Sequence, residues 1–254
     1  MAAMSVPRDR LPGQPVGYFG KLPARADFIG RRLSRSTVEC WDSWLQQCLA
    51  RSQAALLATW TDRYLTAPVW RFVLPGGVFG DNGLAGVLVP SGDAVGRCFP
   101  LLLALELPAA ADTVAVAAGG AAWFEAVETL ALEALDEVFE LAALDRALPG
   151  LECPHLPHAA RGTAILNPIS RWIPLPMLSA LGAVLRETAG IGARPALWWT
   201  GGGAGFRPGV AVTAGMMAPA RFAALLDGAW ARHGWRGGPG TAVADGEPAW
   251  DRDS

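Results

Sequence analysis

Val69-Trp-Arg-Phe-Val-Leu74, then the turn residues Gly76, Gly77, Asp81, Asn82 and Gly83, then Leu84-Ala-Gly-Val-Leu-Val89 form the stretch that decides the fold. Two runs of β-branched, aromatic and aliphatic residues flank a cluster of turn formers, which reads as strand, turn, strand. The short connection predicts an antiparallel hairpin. Leu101 to Leu107 predicts a third strand, and Val16 to Phe19 a short one before them. Ala196 to Thr200 and Val210 to Thr213 predict two more, around the turn Gly201-Gly-Gly-Ala-Gly205. Trp198 and Trp199 are adjacent and point to opposite sides of a strand. Both can be buried only if that strand is covered on two faces.

Helical spacing appears between these runs. Val38, Trp41, Leu45, Cys48 and Leu49 fall on one face of a helix beginning near Thr37, with Ser34 or Ser36 as its cap. Val127, Leu130, Ala131, Ala134, Val138 and Leu141 form the apolar stripe of a long helix over 119–146. Residues 149–176 are Pro-rich and read as irregular, and a further helix fits 176–188. A last helix has Pro219 at its first turn and Gly234 just past its end, with Phe222, Leu225, Leu226 and Ala229 facing the core and Gly228 inside it. There Gly228 costs about 1 kcal/mol relative to Ala, and a close approach to a neighbouring backbone would account for it. The predicted fold is α/β: a mixed, largely antiparallel sheet flanked by helices on both faces, a three-layer sandwich. Residues 1–15 and 236–254 read as flexible tails around a single domain over 16–235.

The 254 residues are 52% hydrophobic with a net charge of −2, and Lys21 is the only lysine. No basic surplus supports nucleic-acid binding. Arg8, Asp9 and Arg10 are not followed by the apolar core of a secretory signal. The most apolar stretch, Cys98 to Phe124, is broken by Pro100, Glu106, Pro108 and Asp112, so it predicts no spanning helix. The expected location is the cytoplasm. Cys40, Cys48, Cys98 and Cys153 make no CxxC pair and are expected to be reduced and mostly buried.

The search for chemistry yields little. Gly17 to Leu22 has a Gly-Lys pair but lacks the spacing and the hydroxyl of a phosphate loop. Gly201 to Gly205 leads into an apolar run rather than a helix, so it reads as a hairpin turn and not a dinucleotide cradle. Cys153, His155 and His158 match no standard zinc spacing, and His233 reads as a surface cap at a helix end. No catalytic residue, metal or cofactor is assigned. Glu125, Glu128, Glu133, Asp136, Glu137 and Glu140 occur with no basic residue between them; they form a solvated face or, with Glu125, Glu128, Asp136 and Glu140, an acidic docking surface.

Two polar loops remain. Lys21-Leu-Pro23-Ala-Arg25-Ala-Asp27-Phe28 follows the first strand, and Pro90-Ser91-Gly-Asp93-Ala-Val-Gly96-Arg97 joins two others. Each places a carboxylate and a guanidinium within four residues. Asp27 and Asp93 would either cap backbone N–H groups and pair with Arg25 and Arg97, or belong to a recognition surface made of Lys21, Arg25, Asp27, Asp93 and Arg97.

These loops carry a resemblance. Gly17-Tyr-Phe-Gly-Lys-Leu-Pro-Ala-Arg-Ala-Asp-Phe28 is similar to the opening signature of TagF proteins, G-[FY]-[FY]-G-K-L-P-x-R-G-D-F. Trp41-Asp-Ser-Trp-Leu45, Tyr64 to Phe72, Gly86 to Ser91, Val95 to Leu101, Leu197 to Thr200 and Arg221 to Gly228 continue it in order, so that it spans about 16–235. Ala26 stands where the family has Gly, and Gly92 and Ala94 replace bulkier residues in its P-S-x-D-x-V-G-R loop. The resemblance implies a non-enzymatic accessory protein of type VI secretion with an α/β sandwich fold. It implies a post-translational repressor that engages a forkhead-associated scaffold protein, without nucleic acid or membrane insertion. Two alternatives stand beside it: a small hydrolase or phosphoryl-transfer enzyme using Asp27, Asp93 and Arg97, or a structural subunit of the secretion machine.

Overall fold

The computed structural model describes residues 15–151, 170–176, 181, 195–203 and 205–237. Helix α1 (Arg35–Leu56) starts where the sequence places it: the Ser34 hydroxyl accepts the Thr37 N–H, and Trp41, Leu45, Cys48 and Leu49 are buried. A short α2 (Trp60–Leu65) follows. The hairpin of β3 (Trp70–Leu74) and β4 (Gly83–Val89) forms with Trp70 opposite Leu88 and Leu74 opposite Leu84. The further strands are β1 (Gly17–Gly20), β2 (Ile29–Arg31), β5 (Leu101–Leu107), β6 (Arg171–Pro174), β7 (Ala196–Thr200), β8 (Gly209–Thr213) and β9 (Arg236–Gly237). They make one sheet in the order β2-β1-β5-β4-β3-β7-β8-β6-β9, antiparallel at every pairing except β6 with β9. The protein is therefore mixed α/β, built on a large, mostly antiparallel open sheet with helices.

Alternation along the strands sorts apolar side chains into two clusters. Val73, Leu197 and Trp199 join Val116, Phe124, Val127 and Leu144, which come from α3 (Thr113–Gly119), α4 (Ala121–Glu133) and α5 (Leu141–Ala147). Phe72, Trp198, Trp41, Trp44, Tyr64 and Leu225 join the other, with side chains from α1, α2 and α6 (Ala224–Asp227). The two adjacent tryptophans are both buried: Trp198 packs on Trp41 and Phe72, and Trp199 meets Phe124 edge-on. Burial of a side chain of this size contributes several kcal/mol, and here it fixes sheet and helices together.

Several local expectations are corrected. The helix over 119–146 is two helices, because the Asp136 carboxylate accepts the Val138 N–H and turns the chain; Val138 is then exposed instead of completing a buried stripe. The irregular 149–176 stretch contains β6, and β9 extends the sheet into the expected C-terminal tail. The last helix is one 3-10 turn (Pro219–Arg221) and the short α6, ended by Gly228 at φ +70°. Gly228 is there for its left-handed backbone, not for a close approach within a helix. Cys48 is buried, but Cys40 is exposed and Cys98 only half-buried. The tails 1–14 and 238–254, almost all of the helix over 176–188, and Cys153, His155 and His158 lie outside the described residues.

Among the described residues no single helix is long and apolar enough to cross a membrane. The pair α3 and α4 passes by composition, but it bends by 75° and buries Val116, Phe124 and Val127 in the core.

Gly228→Ala is expected to destabilise the fold by about 1 kcal/mol, because a Cβ disfavours the left-handed conformation. Urea denaturation measures it; a neutral or stabilising result would mean that this turn is not left-handed.

Candidate functional site

The two polar loops lie side by side and are bonded together. In the second, Asp93 Oδ1 accepts the backbone N–H of Val95 at 3.1 Å and of Arg97 at 2.9 Å, while the Gly96 N–H donates to the Asp93 carbonyl at 2.9 Å. Gly96 takes φ +81°, which a residue with a Cβ adopts only under strain. This chain of bonds follows from an Asp followed by Gly three residues later, a local turn chemistry.

The other Asp93 oxygen faces the first loop. Lys21 Nζ donates to Asp93 Oδ2 at 2.7 Å, and Arg97 Nε donates to the same oxygen at 2.6 Å. The side chains of Lys21 and Asp93 are 8% and 0% exposed, so this ion pair is cut off from water. Ala94 N–H donates to Arg25 O at 2.9 Å, Arg97 Nη2 to Ala26 O at 2.8 Å, and Ser91 Oγ to Lys21 O at 2.8 Å. Tyr64 of α2 closes the base: its hydroxyl donates to Ser91 O at 2.7 Å and accepts the Ser91 N–H at 3.1 Å.

Burial alone would push the Asp93 carboxyl up. The hydrogen bonds from Lys21, from Arg97 N–H and guanidinium, and from Val95 N–H outweigh it and hold the group well below the usual carboxylate range. Burial pushes the Tyr64 phenol up. With both oxygens of Asp93 engaged by charged and backbone donors, the carboxylate acts as a clasp; taking a proton from a bound molecule would first require breaking it.

Of the sequence-singled residues, Lys21, Asp93 and Arg97 therefore converge, and Arg25 joins through its backbone carbonyl. Asp27 is exposed and bonds to neither Asp93 nor Arg97, and no Arg25–Asp27 ion pair forms. Ala26 does not take a positive φ, so it fits this loop without left-handed strain. The acidic residues do not share one helix face. Glu125 is exposed on α4, Glu128 pairs with the nearly buried Arg71 of β3 at 2.6 Å, Asp136 caps the turn, and Glu140 precedes α5 without capping it. His233 is not a surface cap: its Nε2 meets Asp227 Oδ2 at 2.8 Å and its side chain is nearly buried. β7 and β8 pair antiparallel, and between them Gly203 and Phe206 exchange backbone hydrogen bonds, as a hairpin connection does. No cluster of His, Cys, Asp or Glu among the described residues could hold a metal ion.

Sequence reasoning missed three residues of this region. Tyr64 lies 27 residues from the serine it anchors, and nothing local signals that contact. Phe28 and Val95 were passed over as apolar residues within polar loops. Phe28 is 49% exposed, stacks on Phe19, meets Phe99 edge-on at 4.8 Å, and has Lys21 Nζ 5.0 Å from its ring centroid. Val95 is 68% exposed.

The family model described as TagF N-terminal domain, type VI secretion system-associated, matches residues 17–151, more than half of the chain. The chain belongs to the TagF family. Its fold is also similar to the crystal structure of PA0076 from Pseudomonas aeruginosa PAO1: TM-score 0.70, 35% identity, covering 84% of this chain and 94% of that one. No curated protein matches the chain. Both clasped loops lie inside the matched segment, so they belong to the TagF part of the sheet.

A carboxyl held below its unfolded value stabilises the fold at pH values above about 4 and loses that contribution as pH falls toward its folded value. The thermal stability of this TagF chain is therefore expected to fall steadily below about pH 5. Asp93→Asn should lower stability at pH 7 and flatten the acid limb. Parallel pH profiles for the two proteins would show that Asp93 contributes nothing to acid sensitivity.

Proposed function

We propose that this TagF chain is a cytoplasmic, non-enzymatic, post-translational repressor of type VI secretion that binds a forkhead-associated scaffold protein and sequesters it. The observation that carries the reading is the Asp93 clasp. Its oxygens are committed to Lys21, Arg97 and two backbone N–H groups, so the most polar region of the molecule is arranged to hold a shape. Two loops bonded to each other above a large, mostly antiparallel sheet suit docking, because little conformational freedom remains to be lost on association. Family membership supplies the secretion system. Arg25, Asp27 and Arg97 are the exposed polar groups of these loops and lie at the surface the partner meets, while Lys21 and Asp93 set their position.

Coimmunoprecipitation of the full chain with the forkhead-associated protein tests the proposal. Association is expected at low salt, weakening as ionic strength rises. No association at low salt overturns it. Overproduction of the chain is expected to reduce secretion with no fall in the amounts of the secretion components, since sequestration leaves their synthesis untouched.

A further inference from the structure

The surface formed by the two loops carries two apolar side chains, Phe28 and Val95. Neither is mobile in the manner of a free loop residue. Ala94, beside Val95, is tied to Arg25 O, and Phe28 rests on Phe19 and Phe99. An apolar group already fixed in place gains from burial while losing little freedom, which is the property of an interface anchor.

The charge around them has one sign in excess. The loops carry Lys21, Arg25 and Arg97 against Asp27 and Asp93. Arg31, at the far end of β2, lies opposite Tyr18; it and the adjacent Arg32 pair with Asp145 away from these loops and add no charge to them. Three cationic groups against two carboxylates leave the loops with one positive charge in excess, in a chain whose net charge is −2. Arg25 is exposed and the Arg97 side chain is 62% exposed, so both heads reach solvent at the rim. Asp27 is the one exposed carboxylate of the two loops, and it opposes this excess.

We infer that Phe28 and Val95 are the apolar anchors of the docking surface, that Arg25 and Arg97 are its cationic rim, and that the partner presents an apolar pocket bordered by carboxylates. This rests on the reading of the chain as a protein that binds a forkhead-associated scaffold, and it adds where the contact lies and what chemistry meets it. Lys21 and Asp93 are positioning residues. Asp27 faces an acidic border and weakens the contact.

The test is calorimetric titration of the full chain and its variants with the forkhead-associated protein at low salt. Val95→Glu is expected to weaken binding about tenfold or more, with an unchanged melting temperature because Val95 is mostly solvated. Arg25→Glu should weaken it about tenfold, and the difference from wild type should shrink as salt is added. Asp27→Asn should tighten binding about two- to fivefold, the sign that identifies an acidic partner surface. Phe28→Ala also removes ring contacts with Phe19 and Phe99, so it counts only alongside Val95→Glu, which removes no packing of that kind. Wild-type affinity in Val95→Glu, or weaker binding in Asp27→Asn, overturns the inference while the functional reading stands. Failure of the wild-type chain to bind overturns both. If Val95→Glu instead converts a dimer of this chain into monomer and leaves partner binding untouched, the surface joins two copies and the inference is overturned.

Discussion

A carboxylate with almost no water around it must be answered by donors on every side, and Asp93 is such a group. Removing charged groups from water costs several kcal/mol each before any attraction is counted, so the pair it forms with Lys21 exists only because the rest of the site completes it. Two backbone N–H groups, a guanidinium and an ammonium together supply that completion. The consequence is geometric. Lys21 lies just after β1 and Asp93 between β4 and β5, so satisfying one buried charge ties the loops of neighbouring strands to each other. Tyr64 and Ser91 extend the same logic downward to α2, where a buried hydroxyl finds its partners in the backbone of the second loop. Once these groups are satisfied, Arg25, Asp27, Phe28, Val95 and the head of Arg97 are left facing outward, with the small residues Ala26, Ala94 and Gly96 between them.

The sheet beneath gives this arrangement its rigidity. The segment matched to the TagF N-terminal domain ends at residue 151, yet the sheet does not. β7 pairs with the free side of β3, and Trp198 fills the space between Phe72, Trp41 and Trp44. Without the strands after 151, the edge of β3 and these rings would meet water. The likeness to PA0076, which covers 84% of the chain, extends past that boundary as the sheet does.

Much of the sheet was legible because its strands are long runs of apolar residues buried on both faces, and the Trp198–Trp199 pair stated that burial directly. β2 was not legible: Ile29-Gly-Arg31 has no strand signal of its own and is a strand only through its pairing with β1. The break between α4 and α5 was hidden because Val138 and Leu141 continue the helical period; the competing signal was Asp136, whose short carboxylate prefers a turn. At the site, the carboxylate–guanidinium spacing within each loop pointed to the right segments. Local spacing could not reveal that Lys21 and Asp93 meet across 72 positions, nor that Glu128 belongs to Arg71 and not to a free acidic face. Contacts between distant elements depend on the fold being complete. The anchors Phe28 and Val95 were missed for a related reason: apolar residues in a loop are ordinarily packed away, and only the clasped geometry leaves these two outside.

The central claim is that the clasped loops are a rigid surface for a protein partner. Hydrogen exchange of the full chain, alone and with the forkhead-associated protein, tests it most directly. In the free chain the N–H groups of Val95 and Arg97 should already exchange slowly, and added protection on binding should be confined to residues 24–28 and 94–97. Fast exchange at Val95 and Arg97 in the free chain, or new protection centred on α4 with the loops unchanged, would contradict it.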